Sequence, residues 1–94
     1  MTDKIKRKEV KARLIEIRDW EIYRKALQKE FKFPDFKGAF QFLEKVSNLA
    51  NKANHHPDFI YSNGKLTIRL ITHEVDGITE KDIQLAKEID NITR

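Results

Sequence analysis

The dipeptide Asn63-Gly64 lies between two segments that both resemble strands. An Asn-Gly pair is the strongest short-range signal of a two-residue hairpin loop, because both of its residues tolerate positive φ. Such a loop also fixes the register of the strands that it joins. Here it predicts that Ser62 faces Lys65 and that Asp58 faces Arg69. Any fold of this chain must accommodate that antiparallel hairpin, whose two segments are Phe59–Ser62 and Lys65–Thr72.

The second strand of the hairpin should divide its side chains between two faces. Alternate apolar residues are expected to point toward helices packed on the sheet, namely Leu66, Ile68 and Leu70. Ile71 and His73 belong to the opposite face. If the register continues backwards past Pro57, His56 lies opposite Ile71 and diagonal to His73, at roughly 7–8 Å. With His55 next in the chain, all three histidines should converge.

The longest helix is predicted between Asp35 and the histidine pair. Asp35 follows a proline and is a favourable N-cap residue. Apolar residues then recur at steps of three and four, at Phe36, Ala39, Phe40, Leu43, Val46, Ala50 and Ala53, and Phe42 and Leu49 widen this face. Pro57 forbids continuation of the helix past the histidines. We expect this helix to form the backbone of the core and to be available to a second subunit.

Two further helices are indicated near the ends of the chain. Residues 4–17 have apolar side chains at helical spacing, with Thr2 or Asp3 positioned as the cap; these side chains are Val10, Leu14 and Ile17. Thr79 and Asp82 form a capping box with Asp in place of Glu at the start of the last helix. A hydrophobic staple, Ile78 with Ile83, precedes its apolar face of Leu85, Ala86, Ile89 and Ile92.

Residues 18–33 fit two patterns. Helical steps connect Trp20, Tyr23, Leu27 and Phe31, whereas strand-like alternation connects Leu27, Lys29, Phe31 and Phe33. Aromatic enrichment favours a strand, but no Gly, Asn or Pro marks a turn near residues 23–25, so periodicity leaves the segment open. With two strands here, the order is α-β-β-α-β-β-α. We therefore predict one α+β domain, residues 1–94, in which three helices pack on one face of a four-stranded antiparallel sheet.

Composition narrows the class of protein. The chain has no cysteine, which excludes disulfides and thiolate metal sites and makes the cytoplasm the natural compartment. No apolar run is long enough to span a bilayer. The net charge of +4 is concentrated in residues 1–32, which contain eleven Lys or Arg and six Asp or Glu. We interpret this surplus as a solvated helix face, and we expect neither a membrane nor a nucleic-acid partner.

Three explanations compete for the histidines. A metal site is not expected, because no His or carboxylate lies at the usual three- or four-residue ligand spacing. A purely structural role is difficult for both His55 and His56, because two adjacent residues before a proline cannot both face one core. General acid–base catalysis suits all three histidines, since imidazole exchanges protons readily near neutral pH. Neither covalent catalysis nor a glycine-rich phosphate loop is indicated.

The histidine segments and their surroundings resemble the pterin-4a-carbinolamine dehydratases. The resemblance is carried by the sequences FKFPDF at 31–36, AF at 39–40, HHP at 55–57, THE at 72–74 and GIT at 77–79, together with Asp82 and Leu85-Ala86. It covers about two-thirds of the chain well, and the first 30 residues only loosely.

The resemblance implies dehydration of a 4a-hydroxytetrahydropterin to the quinonoid dihydropterin, with no metal and no organic cofactor. This reaction recycles the pterin after aromatic amino acid hydroxylation. His55 and His73 match the family's acid–base pair, and Asp82 matches its acidic residue, although Asp82 could equally be a helix cap or do both. His56 matches a substrate-binding histidine, and Pro57 completes that motif.

Two other candidate substrate-binding positions fit the family less well. Four residues before the first histidine, where the family usually has a charged residue, this chain has Asn51, which can form hydrogen bonds but carries no charge. Trp20 matches a tryptophan near the pterin site, but its spacing to Phe31 is shorter, and a core role is an equal alternative.

A second functional hypothesis remains open. The chain could be a catalytically weak or inactive relative that acts as a pterin-binding, molybdopterin-linked protein or as a dimerising interaction module. Under either hypothesis we expect a homodimer or homotetramer. The resemblance implies dimers that pair, and a small chain with a two-sided apolar helix and exposed sheet edges gains from self-association.

Overall fold

The structure is a computed structural model that describes residues 3–93. Its helices are α1 (Arg7–Arg13), α2 (Phe36–Ala53) and α3 (Glu80–Ile92), and its strands are β1 (Glu21–Tyr23), β2 (Ala26–Lys32), β3 (Asp58–Ser62) and β4 (Lys65–Leu70). The strands form one antiparallel sheet in the order β1-β2-β4-β3. The predicted α+β fold, with its order α-β-β-α-β-β-α, is confirmed. Two short 3₁₀ turns, Leu14–Glu16 and His73–Val75, were not predicted.

The hairpin register set by Asn63-Gly64 is confirmed along its whole length. Ser62 pairs with Lys65 and Asp58 pairs with Arg69. Both loop residues have positive φ, as this type of turn requires. The alternation in β4 is also confirmed, because its three apolar residues are fully buried; they are Leu66, Ile68 and Leu70. They pack against side chains from all three helices, including Val10, Val46 and Leu85.

The ambiguous segment is a pair of strands, so its alternation was the informative pattern. β1 and β2 are joined at Arg24-Lys25, where Arg24 takes positive φ (56°) without being Gly or Asn. Tertiary contacts hold this unusual turn. The Arg7 guanidinium donates a hydrogen bond to the carbonyl oxygen of Arg24 at 3.1 Å, and Lys25 pairs with Asp76 at 2.6 Å. The β1–β2 turn is stabilised by residues from elsewhere in the chain, and its own sequence therefore contains no turn signal.

The predicted starts of α2 and α3 are confirmed. The Asp35 carboxylate accepts a hydrogen bond from the backbone N–H of Gly38 at the beginning of α2. At α3, the Thr79 side chain and the Asp82 side chain form both halves of the capping box. No helix within residues 3–93 combines the length and apolar character that crossing a membrane would need.

The first helix is shorter than predicted. It begins at Arg7, after Lys6 in the N-cap position, and ends at Arg13, where the chain tightens into a 3₁₀ turn. Asp3 does not cap it, and Thr2 lies outside the described residues. The physical reason is a long-range bond: the Ile5 N–H donates to the Ile78 carbonyl at 2.8 Å, which holds the preceding backbone extended.

Several apolar residues assigned to core-facing helix surfaces are instead exposed. In α2, Phe36 and Phe40 are 63% and 51% exposed, and Ala53 is also exposed. In α3, Ile92 is at the surface, whereas Leu85, Ala86 and Ile89 are buried as predicted. The buried side of α2 is lined by Ala39, Val46 and Ala50. The apolar periodicity of α2 therefore covers two different surfaces, and only one of them packs on the sheet of the same chain.

Candidate functional site

The end of α2 places two adjacent histidines in different environments. Asn54 adopts the left-handed conformation (φ 51°) and stops the helix before Pro57 is reached. The N–H of His55 then donates to the carbonyl of Ala50 at 3.1 Å, which is the closing bond of a Schellman motif. As a result, the His55 side chain is buried and the His56 side chain is exposed.

The His55 side chain is hydrogen-bonded to a fully buried carboxylate. Its Nε2 atom lies 2.6 Å from Oδ1 of Asp82, which belongs to the first turn of α3. The second carboxylate oxygen, Oδ2, accepts bonds from the Thr72 hydroxyl at 2.8 Å and from the backbone N–H of Thr79 at 2.9 Å. The two threonine hydroxyls also contact each other at 2.7 Å. Asp82 therefore caps a helix and holds a histidine at the same time.

This network determines which ring nitrogen of His55 is protonated and which one is accessible. The Thr72 hydroxyl donates its proton to Asp82, so the Thr79 hydroxyl must be the donor in the bond between the threonines. An ionised Asp82 only accepts hydrogen bonds, so Nε2 of His55 carries a proton. No described residue bonds to Nδ1, and residues 3–93 contain no buried side-chain nitrogen or oxygen without a partner. Nδ1 is thus the accessible nitrogen that can exchange a proton.

The three histidines line one cavity of about 200 Å³, which we call the histidine cavity. Its lining consists of Asn54, His55, His56, Ile71, His73 and Glu74. His73 reaches it from the 3₁₀ turn that follows β4, and His56 reaches it from the α2–β3 connection. Pairing of β3 with β4 stops at Asp58 and Arg69, so the cavity lies just beyond the end of the ladder. The turn-based expectation that the histidines meet therefore agrees with the structure.

Three residues predicted to bind substrate do not line this cavity. Asn51 acts indirectly, because its side-chain oxygen accepts a hydrogen bond from Nε2 of His56 at 3.0 Å. Pro57 is half-buried in the connection to β3. Trp20 is buried, and its indole N–H donates to Asp90 at 2.9 Å.

The position of Trp20 follows from its partner on α3. Asp90 lies eight residues after Asp82, which corresponds to about 12 Å along a helix axis. Asp90 also accepts bonds from the Arg18 N–H and from the largely buried Lys29 ammonium. The indole thus completes a buried polar cluster at the far end of α3. This contact supports the core role of Trp20, which the sequence left as an equal alternative.

Sequence reasoning missed Thr72 as part of the site. The alternation in β4 that buries Leu66, Ile68 and Leu70 also directs Thr72 inward, where its hydroxyl needs a partner. That requirement, together with the capping-box carboxylate of Asp82, could have predicted that Thr72 belongs to the site. No comparable signal marked the other lining residues of the histidine cavity, Asn54, Ile71 and Glu74. Their positions depend on the path of the chain around the cavity.

The arrangement is suited to moving protons on a small ligand. One histidine is held by a buried carboxylate, and two more reach the same cavity from different segments. Within residues 3–93, no group of three or more His, Cys, Asp or Glu side chains is arranged to hold a metal ion.

Comparison with known proteins identifies the family of this chain. Residues 3–92 match the family model described as pterin 4 alpha carbinolamine dehydratase. The chain belongs to the pterin-4a-carbinolamine dehydratase family. A relative from Sulfurisphaera tokodaii, provisionally named pterin-4-alpha-carbinolamine dehydratase, is 39% identical over 95% of this chain and 96% of its own. A relative from Aquifex aeolicus with the same provisional name is 38% identical over 100% of this chain and 95% of its own.

A solved structure shows the same fold for a protein of this family. A transcriptional coactivator/pterin dehydratase from Brucella melitensis superposes with a TM-score of 0.90 at 29% identity, over 98% of this chain and 100% of that one. The match to the family model begins at residue 3 and therefore includes most of the N-terminal segment, where the resemblance in the sequence was loose.

Proposed function

We propose that this protein dehydrates a 4a-hydroxytetrahydropterin to the quinonoid dihydropterin, with histidine side chains as the only acid and base. The observation that carries the proposal is the buried pair of His55 and Asp82, which opens onto a cavity that His73 also lines. Membership of the dehydratase family supports the choice of a pterin as substrate.

The reaction removes the elements of water from the pterin ring. The bond between C4a and its hydroxyl oxygen breaks, an acid protonates the departing oxygen, and a base takes a ring proton. His55 and His73 are proposed as this acid–base pair. Asp82 is a positioning residue, because it touches His55 and not the cavity, and it leaves Nδ1 of His55 free to face the ring.

His56 is proposed to bind the substrate. The bond to Asn51 uses Nε2 of His56 and orients its ring at the cavity wall. Because Asn51 is uncharged, it fixes this ring through a hydrogen bond without adding a negative charge near the ligand. We therefore expect Asn51 to influence affinity more than the chemical step.

A direct assay tests the proposal. The purified chain should accelerate the loss of the ultraviolet signal of a 4a-hydroxytetrahydropterin. His73→Ala and His55→Gln should each reduce kcat by roughly 10²–10⁴-fold, which is the usual contribution of a general acid or base. Gln84→Ala, an exposed change on α3, is the matched control.

The same assay distinguishes the alternative function. A wild-type chain that binds the pterin but does not accelerate its dehydration would contradict the enzyme proposal. It would favour a pterin-binding or dimerising protein instead.

We also propose that the chain forms a homo-oligomer through α2. An exposed aromatic surface is formed by Phe36, Phe40 and Tyr61. The ring of Phe36 stacks on that of Phe40 with 6.2 Å between the ring centroids, and it forms a T-shaped contact with Tyr61 at 5.3 Å. Exposed aromatic side chains in contact with one another are typical of protein interfaces. A second copy of the chain would bury this aromatic surface.

A further inference from the structure

A strongly basic concavity lies beside the histidine cavity and is larger than it. It encloses about 260 Å³ and we call it the cationic pocket. Five cationic side chains line it, namely Lys4, Lys6, Arg7, Arg24 and Lys25. They come from two separate segments, namely the residues before α1 with the start of that helix, and the β1–β2 turn. The fold therefore gathers charges that are well separated in the sequence.

Among residues 3–93, one carboxylate lines the cationic pocket, and it is already engaged. Asp76 pairs with Lys25 at 2.6 Å, and the hydrogen bond from Lys25 holds the pKa of Asp76 below its ordinary value. Within residues 3–93, Lys4, Lys6 and Arg24 form no ion pair. Clustered cations without counter-charges repel one another, so an anion in the pocket would be stabilised.

Contacts with other parts of the chain hold some of the pocket's residues in place. The Arg7 guanidinium is held by its bond to the Arg24 carbonyl, and the Arg24 backbone keeps a positive φ. The Lys4 side chain lies across Gly77, so closely that a Cβ added to Gly77 would clash with Cδ of Lys4. Beneath the charges is an apolar floor formed by Ile5, Val10, Ile22 and Ile78. An apolar floor strengthens charge interactions above it, because it excludes water from one side.

A third concavity, of about 370 Å³, has lining residues in common with both the cationic pocket and the histidine cavity. It shares Arg24, Lys25 and Asp76 with the pocket, and Ile71 and His73 with the cavity. His73 is the first residue of the 3₁₀ turn, and Asp76 directly follows the turn. Three residues of 3₁₀ helix advance by about 6 Å, so the two residues are about this far apart along the turn. A backbone bridge between Thr72 and Gly77 closes this loop. One ligand could therefore contact both sites.

We propose that the cationic pocket binds a phosphate group on the side chain of a pterin whose ring lies in the histidine cavity. This inference rests on the proposed function, because it takes the pterin ring to be the occupant of that cavity. It assigns the substrate class to phosphorylated pterins. Lysine and arginine side chains bind phosphate oxygens through charge-assisted hydrogen bonds, and five of them exceed what an uncharged pterin side chain requires.

The test compares two pterins with the same side chain, 7,8-dihydroneopterin and its triphosphate. Their dissociation constants for the wild-type chain are measured by calorimetry at low salt. We expect the triphosphate to bind roughly ten- to a hundredfold more tightly, which is what one or two hydrogen bonds to a charged group supply. Added salt should reduce that ratio.

A pocket variant and a matched control make the test specific. Lys6→Ser combined with Arg24→Asn removes two pocket charges. Ser suits the N-cap position of Lys6, and Asn tolerates the positive φ of Arg24, so the fold should be kept. Lys8→Gln with Lys11→Gln removes two charges from the exposed part of α1 outside the pocket. The preference for the triphosphate should disappear in the first variant and persist in the second.

The possible outcomes separate this inference from the proposed function. Equal affinity of the wild-type chain for the two pterins would overturn the inference and leave the dehydratase proposal intact. If neither pterin binds, the inference fails, and the ultraviolet assay with a 4a-hydroxytetrahydropterin decides the dehydratase proposal separately. Inorganic pyrophosphate distinguishes the source of the phosphate. It should compete with the triphosphate but not with dihydroneopterin; if it binds alongside the triphosphate without competition, the site serves a separate anion and the inference is wrong.

Discussion

The Nε2 atom of His55 lies 2.6 Å from Oδ1 of Asp82, although the two residues are 27 positions apart in the chain. The carboxylate is fully buried, and both of its oxygens have partners. One side chain thus fixes the start of α3 and the orientation of the histidine that enters the cavity.

Replacement of Asp82 by Asn should reverse the tautomer of His55. An Asn side chain that still accepts bonds from Thr72 and Thr79 must direct its NH₂ group at Nε2 of His55, and Nε2 would then be the acceptor. The accessible Nδ1 would carry the proton in the neutral ring, so we expect kcat to fall by at least about a hundredfold. Nitrogen-15 spectra of the histidine rings should show the change. An unaltered tautomer with full activity would contradict the positioning role.

Replacement of Asp82 by Ala should mainly reduce stability. The change removes a helix cap and leaves His55 and the Thr72 hydroxyl without their buried acceptor. A lost cap costs about 1 kcal/mol, and each unsatisfied buried group costs about 1–3 kcal/mol, so we expect a total loss of at least about 3 kcal/mol in urea unfolding. Glu88→Ala on the same helix is the control, and an equal loss in both variants would count against the network.

Thr72 offers a finer test of the same network. Thr72→Val keeps the shape but removes the hydroxyl that donates to Oδ2 of Asp82. We expect a loss of about 1–2 kcal/mol in the free energy of unfolding, because Thr79 also loses its acceptor. Thr72→Ser keeps the hydroxyl and should stay closer to wild type. Val and Ser variants of equal stability would show that the hydroxyl contributes nothing.

The aromatic surface can be tested by light scattering after size-exclusion chromatography. The wild-type chain should elute with a mass that is a multiple of 11.2 kDa. Phe40→Glu places a charge among the rings of Phe36 and Tyr61 and should shift the protein to the monomer. Lys37→Glu, a neighbouring exposed change outside the aromatic surface, should keep the wild-type mass. A monomeric wild-type chain, or an oligomeric Phe40→Glu variant, would rule out this interface.

Acid should weaken a charged cluster between the end of α1 and α3. Hydrogen bonds from Arg13 and then Lys87 lower the pKa of the Glu16 carboxyl from 4.5 to about 2. Since the pKa is lower in the folded state, the stability contributed by Glu16 is fully present above pH 4.5 and is lost as the pH falls through about 2. The effect should be small because Glu16 is exposed to solvent.

Glu16→Gln measures this contribution. The wild-type chain should melt above the variant at neutral pH, and the difference in Tm should shrink as the pH falls from 4.5 toward 2. Added salt should shrink it as well. A difference in Tm that stays constant over this pH range would mean that the charge of Glu16 is not involved.

Features set by neighbouring residues could be predicted from the sequence. The Asn63-Gly64 loop determined the hairpin register, and the Asp35 cap and the Thr79–Asp82 capping box determined where two helices begin. These signals are reliable because the atoms involved are within a few residues of one another. The β1–β2 turn at Arg24 had no such signal, because bonds from Arg7 and Asp76 hold it.

The sequence by itself determined the β3–β4 hairpin and its register, the starts of α2 and α3, and that the three histidines come together at the end of that hairpin. Tertiary structure alone decided which histidine is buried, which nitrogen of it is accessible, that Trp20 bonds to Asp90 far from the cavity, and that five cations share one pocket. The reason is physical. A turn or a cap is a bond between near neighbours, whereas burial and charge clustering depend on segments that meet only after the helices have packed on the sheet.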